Sequence, residues 1–363
     1  MTAIDPAGVR RVLIRANNWI GDVVMISPAV RAIRAHFRGA RISILAKSWV
    51  LEALRGSPDY DDLIEYDRDG AHRGAAGRWR LVAALRRRRF DLAVLFQKAF
   101  EAAAFARLAG ARVRIGYATD FRRPLLTHPL PLPPARTHHV DVFLGIARAL
   151  GCPIRDPFPS FHIDDRSRDR AGELLLRSGI CSDGPLVAIH PGASKSPRAW
   201  HPDRFARLGR RLAKRAGARI LLLGGPADRE LVGGIAERLP RGRVLVPGAD
   251  LPLRVVAGLM ERCHLFIGSD SGPMHVAAAL DVPTIALFGP GIPERTAPRA
   301  RSAAVLPISR RYPCAPCRQD FFRECPAAPS GKPFCLEEIG VDEVEEAAGE
   351  LLLSSPPARV CPS

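Results

Sequence analysis

The fold is decided by residues 11–33, RVLIRANNWIGDVVMISPAVRAI. An apolar run opens this stretch, a short loop follows, and apolar side chains then recur with helical spacing from Val23 to Ile33. This order predicts a strand, a tight loop and an amphipathic helix. Asp22 lies where the loop meets the helix. Because ligands bind at the carboxyl ends of the strands in an open α/β sheet, Asp22 either faces a substrate or caps the helix.

The size and composition of the chain indicate a soluble protein with two domains. At 363 residues it exceeds the length at which one hydrophobic core usually keeps growing. Hydrophobic residues make up 47% and charged residues 25%, which is ordinary for globular proteins. No apolar run approaches the roughly 18 residues of a membrane-spanning helix, and the N-terminus MTAIDPAGVRR has no secretory signal pattern. A cytoplasmic location is therefore expected.

The chain carries a formal net charge of +17, and most of its cations are arginines. Such a charge favours nucleic acid, an anionic membrane surface or a phosphorylated substrate, unless it reflects biased amino-acid usage alone. Aromatic residues are only 6% and are not interleaved with the cations, which argues against RNA-binding modules. The densest basic block, Arg86–Arg89, is predicted to end a helix, either as a solvated helix end or as a membrane-surface patch.

Strand-like and helical segments alternate twice along the chain. One series runs to Leu150 and a second starts at Leu186, so each half is predicted to be a Rossmann-like unit with a parallel sheet. The proline-rich passage 151–170 separates them. Neither half has GxGxxG after its first strand, which argues against a hydride-transferring dinucleotide enzyme. Residues 336–353 are predicted to form a closing helix and residues 354–363 a loose tail.

Three loops of the second half have the composition of phosphate- and sugar-binding loops: HPGASKSPRAW, GGPADRE and GSDSGPMH. If the strands before them are parallel, the loops meet at one edge of the sheet. Hydroxyls and cations of the first loop suit a diphosphate, and the third begins a helix whose N-terminus favours an anion. Glu230, in the second, is a candidate for binding ribose hydroxyls. The candidate phosphate ligands are Ser194, Lys195, Arg198, Ser271 and Gly272.

Four of the eight cysteines lie in one segment, YPCAPCRQDFFRECPAAPSGKPFC. A CxxC pair followed closely by two further cysteines has the composition of a structural zinc site, which in a cytosolic protein is more plausible than disulfides. A reduced, packed thiol cluster is the alternative, because the last two cysteines do not form a second CxxC. The candidate zinc ligands are Cys314, Cys317, Cys325 and Cys335. Of the scattered cysteines, those expected to be buried or inert are Cys152, Cys181 and Cys263, and the last one is Cys361.

The sequence resembles glycosyltransferase family 9, the ADP-heptose:lipopolysaccharide heptosyltransferases, and most closely their heptosyltransferase II group. The resemblance rests on IRANNWIGDVVMISPAV, HPGASKSPRAWHPDRFARL, LLLGGPADREL and FIGSDSGPMHVAAALDVPTIALFGP, and it covers about residues 10–345. The combination of GSDSGPMHVAAAL with the GD motif far upstream is specific, whereas either motif alone is weak.

The resemblance implies a GT-B fold, in which two Rossmann-like α/β domains face a central cleft. It assigns residues 1–165 to an acceptor-binding domain and residues 166–353 to a nucleotide-sugar-binding domain that contains the cysteine-rich segment 312–336. The implied reaction is the inverting transfer of L-glycero-D-manno-heptose from ADP-heptose to the inner core of lipopolysaccharide. The resemblance implies no cofactor for this reaction.

Residue roles are implied where this sequence matches the family's motifs. Asp22 matches the proposed base, which removes a proton from the acceptor hydroxyl. Arg198 stands where family members commonly carry a phosphate-binding lysine, so the charge is kept and the guanidinium adds bidentate geometry. The donor site is implied to contain the DSG motif, Asp270, Ser271 and Gly272, and the histidine after it, His275.

The resemblance also implies the partners of the protein. The acceptor is Kdo-lipid A or heptosyl-Kdo-lipid A, so the enzyme is expected to be peripheral on the cytoplasmic face of the inner membrane and to bind no nucleic acid. The alternatives within the family are a heptosyltransferase I or III, or transfer from another nucleotide sugar, because fold-level likeness reports the acceptor poorly. A remote alternative is an inactive basic protein that binds membranes or nucleic acid.

Overall fold

The computed structural model of the protein describes residues 4–180, 184–314, 317, 321–323 and 325–354. The chain divides into two units, Met1–His162 (unit 1) and Ile163–Ser363 (unit 2). The division falls inside the proline-rich passage that follows the last helix of unit 1. Among the described residues, no helix combines the length and the apolar composition needed to cross a bilayer.

Unit 1 is built on a parallel sheet with helices in the connections between strands. The strands are β1 (Arg11–Arg15), β2 (Arg41–Lys47), β3 (Asp62–Tyr66), β4 (Leu92–Leu95), β5 (Val113–Tyr117) and β6 (His128–Leu130). The helices are α1 (Ile20–His36), α2 (Ser48–Leu54), α3 (Gly74–Arg87), α4 (Phe100–Leu108) and α5 (His139–Ala149). The strand order is β3-β2-β1-β4-β5-β6, and all neighbours are parallel. The direction of winding reverses between β1 and β4, so the loop after β1 lies at the position where open α/β sheets bind ligands.

The sheet of unit 1 is covered on both faces. Val12 and Ile14 pack on one face with residues of α1, α2 and α5, whereas Leu13 packs on the other face with α3 and α4. Successive side chains of a strand point to opposite faces, so a strand that is buried on both faces reads as a continuous apolar run. This explains why the run at the start of residues 11–33 predicts a central strand correctly.

Helix α1 contains a proline in its interior, and a neighbouring hydroxyl compensates for it. Pro28 has no N–H to donate to the carbonyl of Val24, four residues earlier. The hydroxyl of Ser27 donates to that carbonyl instead, at 2.7 Å, and accepts a hydrogen bond from the backbone N–H of Ser160 at 2.9 Å. The helix therefore continues through the proline and keeps Asp22 in its first turn.

Unit 2 repeats the architecture. Its strands are β7 (Leu186–His190), β8 (Arg219–Leu222), β9 (Val244–Leu245), β10 (Leu265–Ser269), β11 (Thr284–Phe288) and β12 (Val305–Ser309). Its helices are α6 (Asp165–Arg177), α7 (Pro202–Arg215), α8 (Arg229–Ala236), α9 (Leu253–Met260), α10 (Gly272–Ala279), α11 (Pro293–Thr296), α12 (Phe334–Glu337) and α13 (Val341–Ser354). The strand order is β12-β11-β10-β7-β8-β9, all parallel. Here the winding reverses between β7 and β10.

A buried tryptophan fixes the loop after β7 to the core of unit 2. Trp200 is 1% exposed and meets the ring of Phe205 edge to face, with 4.9 Å between ring centroids. Its indole N–H donates to the carbonyl of Ile339 at 3.0 Å, and its backbone N–H donates to the hydroxyl of Ser269 at 3.0 Å. The loop is therefore held against the carboxyl end of β10.

The closing helix is shorter than the predicted 336–353. Residues 334–337 form the separate helix α12, and α13 begins at Val341. The carbonyl of Ile339 accepts hydrogen bonds from the side chains of Trp200 and Arg204, which draws it out of the helical hydrogen-bond pattern. Ser354, predicted to begin the loose tail, is the last residue of α13, and residues 355–363 lie outside the described residues.

Candidate functional site

The three loops singled out in unit 2 follow β7, β8 and β10. These strands are neighbours in the order β10-β7-β8 and run parallel, so their carboxyl ends and the loops that follow meet at one edge of the sheet. The loops after β7 and β10 flank the point where the winding reverses, which is where nucleotides bind in folds of this type. The sheet thus brings the polar residues of three separate sequence segments together.

An ion pair joins the first loop to the third. Arg198 closes a short 3-10 turn, Ser196–Arg198, and its Nη2 atom lies 2.6 Å from Oδ2 of Asp270. The side chain of Asp270 is 4% exposed and that of Arg198 is 21% exposed. The Nε atom of Arg198 is also buried, and among the residues that the structure describes it has no hydrogen-bond partner. The guanidinium is therefore positioned by one carboxylate and keeps a buried donor for another anion.

The carboxylate of Asp270 is shielded from water by its surroundings. Burial raises its pKa, and the charge of Arg198 opposes that rise. A side chain at Gly291 would collide with Oδ2 of Asp270, so the backbone approaches the carboxylate closely at this point. The buried carboxylate depends on Arg198 for its countercharge, because an unpaired buried charge is costly.

The third loop leads into the N-terminus of α10. Ser271 is the N-cap residue of this helix, but its hydroxyl caps no N–H of the first turn within the described part of the chain. The hydroxyl donates to the carbonyl of Ser269 at 3.0 Å and lies 3.3 Å from Nδ1 of His190. Because a hydroxyl has one proton to donate, His190 is the donor in this contact. The first N–H groups of α10 are left for an anion.

His190 and Asp228 were not singled out in the sequence, yet both belong to this edge. His190 is the last residue of β7; burial lowers its pKa, and the charge of Asp228 partly offsets this effect. The carboxylate of Asp228 accepts the backbone N–H of Gly225 at 3.0 Å. A Cβ at Gly192 would lie 2.6 Å from its other oxygen, so a side chain there would displace this carboxylate. The sequence signal for His190 was its position at a strand end, whereas Asp228 closes the short 3-10 turn Pro226–Asp228 and was marked only by lying within the second loop.

The other predicted donor ligands lie in the loop after β7 and in helices α8 and α10. Ser194 and Lys195 are exposed, and the ammonium of Lys195 lies 5.2 Å from the ring centroid of Phe321. Glu230 is the exposed second residue of α8. The backbone N–H of Arg198 donates to the carbonyl of Lys195 at 2.9 Å, but no side-chain hydrogen bond or ion pair joins these three residues to Arg198 or Asp270 within the residues that the structure describes. The remaining two belong to α10, where Gly272 is the first residue and His275 is buried.

In unit 1, Asp22 is the third residue of α1 and not its cap. The N-cap residue is Trp19, so the capping alternative for Asp22 is wrong. One carboxylate oxygen accepts from the side-chain amide of Asn17 at 3.3 Å, and the other lies 3.8 Å from Nδ1 of His139. The carboxylate is 22% exposed, and it lies after the strand where the winding of unit 1 reverses. Asn17 and His139 thus orient a carboxylate that solvent and substrate can reach.

A buried arginine at the end of β1 forms hydrogen bonds with the loop that leads to Asp22. Arg15 is the last residue of β1 and is 3% exposed. Its guanidinium donates to the backbone carbonyls of Ala16 and Leu45 and, at 3.1 Å, to the side-chain oxygen of Asn18. Burial lowers the pKa of Arg15 to about 10, which leaves it charged at neutral pH. This cation fixes the start of the loop through backbone and amide oxygens.

The basic block lies at the other edge of the same sheet. Arg86 and Arg87 are in the last turn of α3, and the four arginines to Arg89 are exposed. The side chain of Arg11, the first residue of β1, donates to the carbonyl of Arg88 at 2.8 Å, and Arg88 lies 3.5 Å from the carboxylate of Asp62, the first residue of β3. The block therefore belongs to the amino ends of the strands, whereas Asp22 belongs to the carboxyl ends.

The structure does not support the predicted zinc site. Among the described residues, which include all four clustered cysteines, no group of three or more potential ligands could hold a metal ion. The neighbouring thiols still influence one another: burial and the charges of Cys314, Cys317 and Cys325 raise the pKa of Cys335 to about 12. This arrangement fits the alternative of a thiol cluster. Of the scattered cysteines, Cys152 and Cys263 are buried, whereas Cys181 and Cys361 lie outside the described residues.

Comparison with known proteins identifies the family of the chain and relatives with the same two-unit α/β fold. Residues 78–327, more than half of the chain, match glycosyltransferase family 9 (heptosyltransferase). Lipopolysaccharide heptosyltransferase 2 of Salmonella typhimurium is 27% identical over 316 residues, which cover 83% of this chain and 89% of that protein. A family 9 glycosyl transferase from Veillonella parvula shares the fold with a TM-score of 0.84 at 24% identity, covering 98% of this chain and 99% of its own.

A second solved structure, ADP-heptose LPS heptosyltransferase II of E. coli, has a TM-score of 0.76 at 23% identity and covers 94% of this chain and 98% of its own. At these identities the likeness shows the fold, and that fold is GT-B, with two α/β units that each contain a parallel sheet. The Asp22 motif lies before the matched residues, and the loops of unit 2 lie within them. The chain is a glycosyltransferase that belongs to family 9, the heptosyltransferase family.

Proposed function

We propose that the protein is a heptosyltransferase of type II, which transfers L-glycero-D-manno-heptose from ADP-heptose to the inner core of lipopolysaccharide. The relatives named heptosyltransferase 2 support this assignment. The observation that carries it is the buried Nε donor of Arg198, which has no partner among the described residues and lies where three loops of one sheet edge meet. A diphosphate is an anion that suits such a donor.

In this proposal unit 2 binds the nucleotide sugar. Arg198 donates to the diphosphate through Nε, while its Nη2 atom stays paired with the carboxylate of Asp270. The N-terminus of α10 adds the positive end of a helix dipole. These groups also stabilise the charge that develops on the diphosphate as it leaves, which is where electrostatic catalysis has its largest effect. The ligands proposed to complete the donor site are Ser194, Lys195, Glu230, Ser271, Gly272 and His275.

Unit 1 is proposed to bind the acceptor and to supply the base. The carboxylate of Asp22 accepts the proton of the acceptor hydroxyl as the oxygen bonds to the anomeric carbon. The bond from that carbon to the diphosphate oxygen breaks on the opposite side, so the configuration inverts and ADP leaves. Asn17 and His139 hold the carboxylate in the orientation that this proton transfer needs. No cofactor takes part in the proposed step.

The acceptor is an anionic lipid, so the protein is proposed to work as a peripheral protein at the inner face of the cytoplasmic membrane. The exposed arginines 86–89 and the net charge of +17 support attraction to such a surface. Because the block lies at the amino ends of the strands in unit 1, it is proposed to contribute to attachment and not to the chemistry at Asp22.

A donor and acceptor screen with purified protein tests the proposal. Type II activity predicts release of ADP from ADP-heptose with heptosyl-Kdo-lipid A and no turnover with unheptosylated Kdo-lipid A. Turnover with the unheptosylated acceptor alone would place the protein with heptosyltransferase I. Turnover with another nucleotide sugar and not with ADP-heptose would assign that sugar as the donor. No turnover with any combination of donor and acceptor would overturn the proposed function.

A further inference from the structure

A tryptophan and a lysine stand together where β2 ends in unit 1. Lys47 is the last residue of β2, and Trp49 is the second residue of α2. The ammonium of Lys47 lies 4.5 Å from the centroid of the Trp49 ring, in the geometry of a cation–π contact. Trp49 is 48% exposed, so much of the indole remains in contact with solvent although its position is defined.

The indole is tied to the loop that carries Asp22. Its N–H donates to the carbonyl of Asn18 at 2.8 Å, and the side-chain oxygen of Asn18 accepts from Arg15 at 3.1 Å. The preceding residue, Asn17, contacts Asp22. Because the polar atom of the indole is used within the protein, its exposed part is a fixed apolar ring surface beside the proposed base.

Lys47 has no counterion among the described residues. No carboxylate in that part of the chain lies within ion-pair distance of it, which distinguishes Lys47 from Arg41, the first residue of the same strand, which pairs with Asp62. Burial, followed by the charges of Arg68 and Arg15, lowers the pKa of Lys47. An anion bound at this point would relieve the repulsion among the three cations.

We propose that Trp49 and Lys47 form an acceptor subsite that takes an acidic sugar, with the sugar ring stacked on the indole and its carboxylate paired with the ammonium. The subsite rests on the proposed function, because it gives the inner-core acceptor a point of attachment next to Asp22. Stacking buries the apolar C–H face of the sugar against the indole, and the charge-assisted contact selects sugars that carry an anion. The subsite therefore fixes both the position and the charge of the acceptor.

Kinetics with a water-soluble, delipidated heptosyl-Kdo oligosaccharide test the subsite. Trp49→Ala and Lys47→Gln are each expected to raise the KM for this acceptor by about tenfold or more, which is the size of a lost charged or stacking contact. The kcat and the KM for ADP-heptose are expected to stay near the wild-type values. The matched control is Trp79→Ala, because Trp79 is an exposed tryptophan of α3, 60% accessible, outside the loops at the strand ends.

Esterifying the acceptor separates the charged contact from the stacking contact. The methyl ester of the acidic sugar is expected to raise the KM of the wild-type protein about as much as Lys47→Gln does. Against the Lys47→Gln variant, the ester is expected to cost little more, because both changes remove the same contact. If the increase in KM caused by the ester and the increase caused by Lys47→Gln multiply when the two changes are combined, the proposed pairing is overturned.

Two further outcomes decide the remaining questions. The subsite would be overturned if the acceptor KM were unchanged in both variants. It would also be overturned if the KM rose only with membrane-embedded acceptor, and that result would assign Trp49 to lipid contact. If the wild-type protein transfers no heptose, the proposed function fails by itself. Calorimetry of the same oligosaccharide with wild-type protein and with Trp49→Ala then tests the subsite separately, and equal affinities would overturn it.

Discussion

Each unit has an arginine near the point where its sheet reverses its winding, buried in unit 1 and partly exposed in unit 2, and the two arginines have different surroundings. Arg15 in unit 1 donates to one backbone carbonyl and one amide oxygen of the loop that follows it and to the carbonyl of Leu45 in β2. Arg198 in unit 2 faces the carboxylate of Asp270 and keeps a buried Nε that is without a partner among the described residues. The cation at the end of β1 thus shapes the loop of unit 1, whereas the cation in the loop after β7 is available to a ligand.

The two sheets determine the position of each candidate site, and the residues that follow the strands determine which chemical groups the site contains. Both sheets have six parallel strands and the same pattern of outward winding from a central pair. The strand ends of unit 1 lead to a partly exposed carboxylate and an exposed tryptophan, whereas those of unit 2 lead to a largely buried ion pair and a helix N-terminus. Acceptor activation and donor binding are therefore expected to respond to different substitutions.

The largest effect is expected for Asp22→Asn, which removes the proposed base and keeps the shape of the side chain. Transfer is expected to fall by about 10²- to 10⁴-fold, the usual contribution of general-base catalysis. Affinity for ADP-heptose is expected to stay unchanged, because the proposed donor ligands belong to unit 2. Stopped assays of ADP release and calorimetry of donor binding measure the two quantities. A donor affinity that falls together with turnover would contradict the separation of roles.

Arg198→Ala should produce the reverse pattern. Affinity for ADP and ADP-heptose is expected to fall by about 1.5–3 kcal/mol, the range for hydrogen bonds to charged groups. Calorimetry with ADP checks this, with Arg210→Ala, at an exposed position on α7, as the matched control. Unchanged ADP affinity in the variant would remove Arg198 from the donor site.

The same variant should also change how stability depends on pH. Burial raises the pKa of Asp270 above its ordinary value of 3.8, and Arg198 opposes that rise, so removing Arg198 should raise it further. The folded variant then binds a proton more tightly than the unfolded chain, and it loses stability as the pH rises through the raised pKa. The Tm difference from wild type is therefore expected to be small near pH 4.5 and larger near pH 8. A difference that shrinks as the pH rises would contradict the pairing.

Arg15→Met sharpens the comparison from the other unit. Loss of the buried guanidinium leaves the carbonyl of Ala16 and the amide oxygen of Asn18 without their donor, at a cost of about 1–3 kcal/mol in the free energy of unfolding. ADP affinity should not change. Denaturant unfolding measures the first quantity, and Arg10→Met, at an exposed position before β1, is the control. A loss of ADP affinity in the variant would show that the two arginines share a function.

The smallest effect on transfer is expected for the basic block. Replacing the arginines 86–89 by glutamine should weaken binding to anionic vesicles, by on the order of 1 kcal/mol for each cation at the surface, and the binding should also weaken as salt rises. The apparent KM for membrane-embedded acceptor should rise, while transfer to a soluble acceptor should stay near wild type. Vesicle sedimentation with anionic and neutral lipids checks this, and wild-type binding that ignores salt and lipid charge would leave the block as a solvated helix end.

Much of the fold was predictable because the central strands are buried on both faces. β1, β2 and β7 appear as apolar runs, and the structure confirms them. The strands that the pattern missed include β3 and β12, which lie at the edges of their sheets and are only partly buried. Edge strands need fewer apolar residues, so DLIEY and VLPIS carry little signal.

The residues of the candidate site that follow a strand could be predicted from the sequence, but the contacts that depend on helix packing could not. Asp22, Arg198 and Asp270 each follow a strand, and the parallel order brings the last two together. The contacts of Asp22 with His139 depend on how α1 and α5 pack, and no local pattern encodes that packing. The misassigned start of the closing helix has a similar cause, since the carbonyl of Ile339 is engaged by distant side chains.

Gly192 has a consequence for how this protein can change over evolutionary time or in directed evolution. Its missing side chain leaves the space that the carboxylate of Asp228 occupies, although the two residues belong to loops after different strands. A residue larger than glycine at 192 therefore requires a smaller or displaced side chain at 228. Libraries that aim to change the donor sugar should vary the two positions jointly, because a scan of position 192 alone meets the carboxylate of Asp228 with every substitution.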